Sequence, residues 1–147
     1  MGKIGVAKGG ESFWAKAITT QCQSDVSLGV NIMHSTITTH VLDTSRGCPA
    51  SGLNVVLDFH ANDTTWKTIA TGTTDADGRI SDLLPEKTKV AAGIYRFTFD
   101  TASYFHTNKE EGFYPSVMVI FEIKDPMAHH HVPLLLSPFG YSTYRGS

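Results

Sequence analysis

Short stretches of alternating apolar and polar residues, separated by turn-forming residues, constrain the fold of this chain more than any other feature. They lie at residues 36–42, 53–60, 65–71, 80–84, 94–99, 116–123, 129–136 and 141–145. Side chains alternate between the two faces of a strand, so each stretch predicts a short β-strand. About eight such strands with turns between them predict an all-β fold, specifically a two-sheet β-sandwich.

Helix is predicted at only one place in this pattern, residues 101–105, which favour one or two helical turns. Residues 116–123 are apolar on both faces, with Met118 and Ile120 alternating with Val117 and Val119. Residues 132–136 are similar in this respect. One small sandwich cannot bury both faces of such strands, so the pattern favours an oligomer.

The length of 147 residues suits one domain, which we place at residues 36–147 after an N-terminal extension of unknown role at residues 1–35. The net charge of -2 provides no basic surface for nucleic acid or acidic membranes. No apolar run approaches the roughly 20 residues that span a bilayer. The two cysteines are too few for a disulfide framework, and no secretory signal is evident. We therefore expect a cytoplasmic or peroxisomal protein that is not secreted.

Histidines are the first candidates for chemistry. His40 lies in the middle of a predicted strand, where a single histidine is more often structural than functional. His129 and His131 share a strand face and are spaced as two metal ligands can be, but the sequence offers no evident third ligand. Imidazole also serves as a general base near neutral pH. The sequence pattern alone leaves a metal site, acid–base chemistry and chance open.

Arg79 directly follows the turn Asp75-Ala76-Asp77-Gly78. A surface arginine exposed to solvent is the commoner explanation for such a residue. The functional alternative is a planar cation that binds an anionic or carbonyl-rich ligand. A calcium loop is excluded because Thr73 and Leu84 occupy positions that require acidic ligands.

Three stretches of the sequence resemble one enzyme family. They are HVPLLLSPFGYSTYRGS at residues 131–147, TTHVLD at residues 38–43 and TDADGR at residues 74–79. In this order they are similar to the motifs of the 5-hydroxyisourate hydrolases, the enzymatic members of the transthyretin-like family. The resemblance spans roughly residues 36–147.

The resemblance implies a transthyretin-like sandwich that forms a homotetramer. It implies hydrolysis of 5-hydroxyisourate to 2-oxo-4-hydroxy-4-carboxy-5-ureidoimidazoline in urate degradation. This reaction breaks a cyclic amide C–N bond and needs no cofactor. The alternative is a non-catalytic carrier of small molecules, since transthyretin shares the fold. The carrier lacks the terminal Tyr-Arg-Gly-Ser and the catalytic histidines, both of which are present here.

The family's site residues transfer to matching positions of this chain. The resemblance assigns catalysis to His40, Arg79, His131 and Ser147, substrate binding to His40, Arg79, Tyr144, Arg145, Gly146 and Ser147, and no residue to a metal. In the mechanism we expect, the two histidines deprotonate a water that attacks the ring carbonyl, and Arg79 stabilises the developing negative charge. Tyr144 and the Ser147 hydroxyl hold the substrate and help to transfer the proton.

His130 is the one departure from the family pattern that we note. The family often has Tyr between the two histidines, and this chain has His130. Strand alternation places His130 on the opposite face from His131, so we expect little effect on the chemistry.

Overall fold

The computed structural model describes residues 35–62, 65–80, 82–85 and 88–146. The predicted extension at residues 1–35 lies outside the described residues except for Ser35, and Ser147 lies outside them as well.

Eight strands and one helix follow one another in this part of the chain. The strands are β1 (Ile37–Asp43), β2 (Cys48–Pro49), β3 (Asn54–Asn62), β4 (Thr65–Thr73), β5 (Gly93–Phe99), β6 (Val117–Ile123), β7 (His130–Ser137) and β8 (Gly140–Thr143). The helix α1 (Thr101–Thr107) lies between β5 and β6. This content confirms the predicted all-β class with one short helix.

The strands form two four-stranded sheets, with the orders β2-β1-β7-β8 and β4-β3-β5-β6. All neighbouring strands are antiparallel except β1 and β7, which run parallel. A parallel pair needs a long crossover, and here almost the whole domain lies between its two strands. The pairing therefore brings the first and the next-to-last strand side by side.

The core lies between the sheets and is built mainly from one face of each strand. Its fully buried large side chains are Ile37, Val41, Leu53, Val55, Leu57, Phe97, Phe99, Phe105, Val117, Ile123, Leu134 and Leu136. Alternation is clearest in β1, where buried and half-buried residues follow one another along the whole strand. Each fully buried aliphatic or phenyl side chain contributes about 1.5–3 kcal/mol relative to exposure. The two-sheet sandwich is thus confirmed.

One predicted strand is wrong, and one strand was not predicted. Within residues 80–84 the described positions form a turn and bends instead of a strand, although Ile80, Leu83 and Leu84 are buried. Ile80 packs directly over Gly72 of β4, where a Cβ would lie 2.9 Å from its Cγ2. This apolar run therefore packs on the core without joining a ladder. The unpredicted strand is the two-residue β2, which pairs with the end of β1.

Asp58 lies on the outer face of β3 and is nevertheless only 4% exposed. The Arg96 guanidinium donates from Nη2 and Nε to Asp58 Oδ2, at 2.7 and 3.1 Å. Thr68 donates its hydroxyl to Oδ1 at 2.7 Å, and the Trp66 ring stacks on the guanidinium at 4.3 Å. The outer face of the second sheet is thus covered locally by its own side chains.

Helix α1 confirms the predicted helical turns and packs against β1. The Asp100 carboxylate accepts a hydrogen bond from the Ser103 N–H at 3.1 Å and caps the helix. Tyr104 donates its hydroxyl to Asp43 Oδ2 at 2.9 Å. Burial, and then this hydrogen bond, raises the pKa of Tyr104 to about 12, so its phenol remains a donor. No helix in the described part of the chain has the length and apolar character needed to cross a membrane.

Candidate active site

His40 and His131 lie on neighbouring strands and on the same, outward face of the first sheet. The parallel register sets Thr38 beside His131 and His40 beside Pro133. The two histidines are therefore one diagonal step apart, roughly 8 Å between Cα atoms by strand spacing and rise. Both rings are half-buried. The sheet thus presents two imidazoles side by side.

A tight turn at residues 75–79 places Arg79 next to His40. The Asp75 carboxylate accepts hydrogen bonds from the backbone N–H groups of Asp77 and Arg79, both at 2.9 Å. The Asp75 N–H donates to the Arg79 carbonyl at 2.8 Å. Arg79 then pairs with His40 as an isolated antiparallel bridge. The acidic turn therefore fixes the backbone of Arg79, and the Arg79 side chain is exposed.

Gly78 lets this turn pack closely on β1. Its φ is +70°, and its carbonyl accepts a hydrogen bond from the Val41 N–H at 2.8 Å. A Cβ at this position would clash with the Val41 carbonyl oxygen and would lie 3.1 Å from the Pro49 Cβ. The left-handed backbone and the close approach both require glycine before Arg79.

The C-terminal segment returns to His131. The Gly146 N–H donates to the His131 carbonyl at 2.9 Å, and the two residues form an isolated antiparallel bridge. A Cβ on Gly146 would overlap the imidazole of His131, with Cγ only 3.1 Å away. Tyr144 and Arg145 precede this contact and are exposed. Ser147 follows Gly146 and lies outside the described residues.

The structure therefore brings four of the predicted site residues together. His40 and His131 are joined by adjacent strands, Arg79 pairs with His40, and Gly146 pairs with His131. These pairings connect segments near both ends of the domain and its middle.

Burial and positive charge lower the pKa of both histidines. Desolvation is the larger cause for each, and the charge of Arg79 is the second. His129 and His40 lower the pKa of His131 further, whereas a hydrogen bond with the Asp77 backbone partly opposes the shift of His40. Because the imidazolium form is disfavoured, both rings are neutral at pH 7 and each can accept a proton. Arg79 is close enough to influence both.

Thr38 and His129 belong to the same cluster, and sequence reasoning did not assign them to it. The Thr38 hydroxyl lies 2.9 Å from His129 Nε2 and 2.9 Å from His131 Nδ1. Thr38 lies two residues before His40, and His129 lies two residues before His131, in each case on the same strand face. That spacing is the signal by which the sequence could have identified them.

An open cleft of about 570 Å³ adjoins this cluster between β6 and the C-terminal residues. It shares His131, Tyr144 and Arg145 with the predicted site, whereas His40 and Arg79 do not line it. The apolar part of its lining includes Val119, Phe121 and Val132. The cleft therefore adjoins the histidine cluster and contains only part of the predicted site.

His130 also lines this cleft and is only 8% exposed. Its side chain lies on the opposite face from His131, as the alternation predicted. Its Nδ1 has no hydrogen-bond partner among the described residues. A small effect of His130 on the chemistry remains a prediction.

Two candidate metal ligands, His129 and His131, lie side by side in this geometry. No group of three or more His, Cys, Asp or Glu side chains in the described ranges is arranged to hold a metal ion. The imidazoles of His129 and His131 are nearly parallel, with 12° between their planes, and both contact the Thr38 hydroxyl. A metal-dependent hydrolase would have to begin from these two ligands.

Comparison with known proteins identifies similar proteins over nearly the whole described domain. The model of the HIUase/Transthyretin family matches residues 37–146. A 5-hydroxyisourate hydrolase from Salmonella dublin is 49% identical over 111 residues, which cover 76% of this chain and 80% of that protein.

Two solved structures share the fold. The 5-hydroxyisourate hydrolase of Klebsiella pneumoniae superposes with a TM-score of 0.67 at 37% identity, covering 77% of this chain and 100% of that one. Sea bream transthyretin in complex with thyroxine superposes with a TM-score of 0.71 at 34% identity, covering 76% of this chain and 95% of that one. The backbone is thus similar to an enzyme and to a binding protein, so the site residues must distinguish these activities.

Proposed function

Because this chain belongs to the HIUase/Transthyretin family, with a match over residues 37–146, we propose that it is a 5-hydroxyisourate hydrolase. It would open the ring of 5-hydroxyisourate at an amide C–N bond to give 2-oxo-4-hydroxy-4-carboxy-5-ureidoimidazoline in urate degradation. One observation carries the proposal: backbone pairings hold Arg79 and Gly146 against two neutral, half-buried histidines, His40 and His131. A binding protein has no need of paired bases.

Water activation is assigned to the two histidines. A general base must be neutral to accept a proton, and the lowered pKa values of His40 and His131 keep both rings neutral at pH 7. Attack of the water on the ring carbonyl then breaks the adjacent C–N bond. The leaving nitrogen takes up the hydrogen that the attacking oxygen retains, so the product is a carboxylate and the proton accepted by the histidine must be released.

Charge stabilisation is assigned to Arg79. Its guanidinium is exposed beside His40 and its backbone is fixed by the Asp75 carboxylate. A planar cation held in this way stabilises the negative charge that develops on the attacked carbonyl. Tyr144, Arg145, Gly146 and Ser147 are assigned to substrate binding, and Ser147 also to proton transfer.

A homotetramer is part of the proposal, and exposed apolar residues support it. Met118 and Ile120 on β6 are 54% and 61% exposed in the single chain. Burial of such side chains against another copy would be favourable. A cytoplasmic or peroxisomal location is also proposed, since Cys48 is a free thiol, as is usual in reducing compartments.

The test is to add freshly generated 5-hydroxyisourate and follow the decay of its ultraviolet absorbance. Wild type should accelerate the decay, and His131→Ala should reduce kcat by about 10²–10⁴-fold, the usual contribution of acid–base catalysis. A metal-free sample prepared with a chelator should retain full activity. Decay at the spontaneous rate would exclude the enzyme and favour a carrier, and loss of activity on chelation would favour a metal-dependent hydrolase.

A further inference from the structure

One hydroxyl lies between two imidazoles at the edge of the proposed site. Thr38 Oγ1 is 2.9 Å from His131 Nδ1 and 2.9 Å from His129 Nε2. The parallel register of β1 and β7 sets Thr38 directly beside His131. The position of the hydroxyl is therefore fixed by the sheet.

The number of hydrogens available determines which groups in this cluster donate hydrogen bonds and which accept them. A hydroxyl has one hydrogen, so Thr38 can donate to only one of the two rings, and the other ring must donate to it. For His131 to act as a base, the ring nitrogen that does not face Thr38, Nε2, must keep its lone pair. His131 Nδ1, the nitrogen that faces Thr38, therefore carries a hydrogen. The Thr38 hydroxyl then donates to His129 Nε2, and His131 Nε2 keeps its lone pair.

We propose that Thr38 and His129 form a proton relay, which takes the proton that His131 removes from water and passes it to solvent. The inference rests on the proposed hydrolase function and extends it. Within this relay, Thr38 is a positioning residue because it acts through His131.

Each step of the relay balances. His131 Nε2 accepts a proton from water, and His131 Nδ1 gives its hydrogen to Thr38 Oγ1. The original hydroxyl hydrogen of Thr38 passes to His129 Nε2. His131 is then neutral, Thr38 is again a hydroxyl, and His129 is an imidazolium that can lose its Nδ1 hydrogen to water. After the product leaves, His131 Nε2 gives its hydrogen to water, Thr38 returns one to His131 Nδ1, His129 Nε2 returns one to Thr38, and His129 Nδ1 takes one from water, which restores the starting tautomers.

The reaction and the local charges both favour such an exit. Hydrolysis of this C–N bond yields a carboxylic acid, which ionises at neutral pH, and a ureido nitrogen, which is not basic enough to take up a proton, so one proton must leave in each turnover. Burial and the positive charge of Arg79 disfavour an imidazolium at His131. His129 is exposed to solvent. The relay would move positive charge away from Arg79 and towards water.

Kinetic variants test the relay. Thr38→Val removes the hydroxyl with little change in shape, and we expect kcat to fall by about tenfold or more while KM changes little. Thr38→Ser restores the hydroxyl and should recover most of the rate. Thr71→Val, an equivalent change at an exposed position on β4, should match wild type. Wild-type kcat in Thr38→Val would overturn the proposal.

Buffer dependence separates a relay from a purely structural contact. His129→Ala should be slow, and its kcat should rise as the concentration of imidazole buffer increases, because a small base can replace the missing ring. Wild type should show no such response. A slow His129→Ala variant that does not respond to buffer would overturn the relay.

A measurement without substrate keeps this inference separate from the proposed function. Nitrogen-15 NMR of the histidine rings above their pKa values should place the hydrogen of His131 on Nδ1 and leave His129 Nε2 unprotonated. A hydrogen on His131 Nε2 would overturn the relay even in an active enzyme. A wild type that fails to accelerate the decay of 5-hydroxyisourate, with the expected tautomers, would instead remove the hydrolase function.

Discussion

Replacing Gly146 by Ala should damage the site without damaging the fold. The backbone of Gly146 passes so close to His131 that an added Cβ would lie 3.1 Å from the ring Cγ and closer still to Cδ2. Ordinary van der Waals contact begins at about 3.4 Å. Either the imidazole or the terminal segment must therefore move.

The size of the effect follows from what holds each partner in place. The ring is hydrogen-bonded to Thr38 at 2.9 Å, and the Gly146 N–H is hydrogen-bonded to the His131 carbonyl at 2.9 Å. Relief of the overlap needs a shift of about 1 Å, which typically costs about 10²-fold in rate when it misplaces reacting groups. That corresponds to ~2.7 kcal/mol of transition-state stabilisation.

The assay is the initial rate of 5-hydroxyisourate decay, reported as kcat/KM, together with the thermal midpoint. Gly140→Ala is the matched control, because its added Cβ would meet only Ser137 Oγ, at an ordinary 3.6 Å. We expect a large loss of rate for Gly146→Ala, none for Gly140→Ala, and similar midpoints for both. If Gly146→Ala kept its rate within about threefold, the close approach to His131 would not matter for catalysis, and the reasoning from geometry would fail.

Four further outcomes are expected. As the pH is lowered, kcat/KM should fall with a midpoint below pH 6.5. Burial and nearby positive charge lower the pKa of His40 and His131, and the base must be neutral to act. A kcat/KM that does not change with pH would count against the two histidines as bases. The unfolded chain takes up these protons first, so the free energy of unfolding should also decline as the pH falls through this range. His130→Phe should raise the thermal midpoint by the equivalent of about 1 kcal/mol, because it removes a buried nitrogen without a described partner; a lower midpoint would refute this. Asp58→Asn should lower the free energy of unfolding, measured with urea, by about 2 kcal/mol. This loss is smaller than for a fully buried ion pair because Arg96 is partly exposed. An unchanged free energy of unfolding would show that the Asp58–Arg96 pair does not stabilise the fold.

The sequence by itself determined seven of the eight strands and the alternation of side chains between their faces. His130 and His131 lie on opposite faces of β7, as alternation predicted. This works because the alternation of side chains is a local property of extended backbone. The roles of the site residues came from the family resemblance, since spacing alone left the histidines open between structural, metal-binding and catalytic explanations.

The tertiary structure decided which strands are neighbours, and with that the composition of the site. Thr38 and His131 are 93 residues apart along the chain, and only the parallel pairing of β1 with β7 brings them within 2.9 Å. The same non-local packing buries Asp58 beneath Arg96. The packing of the whole domain determines which distant segments pair, and a local sequence pattern does not specify this.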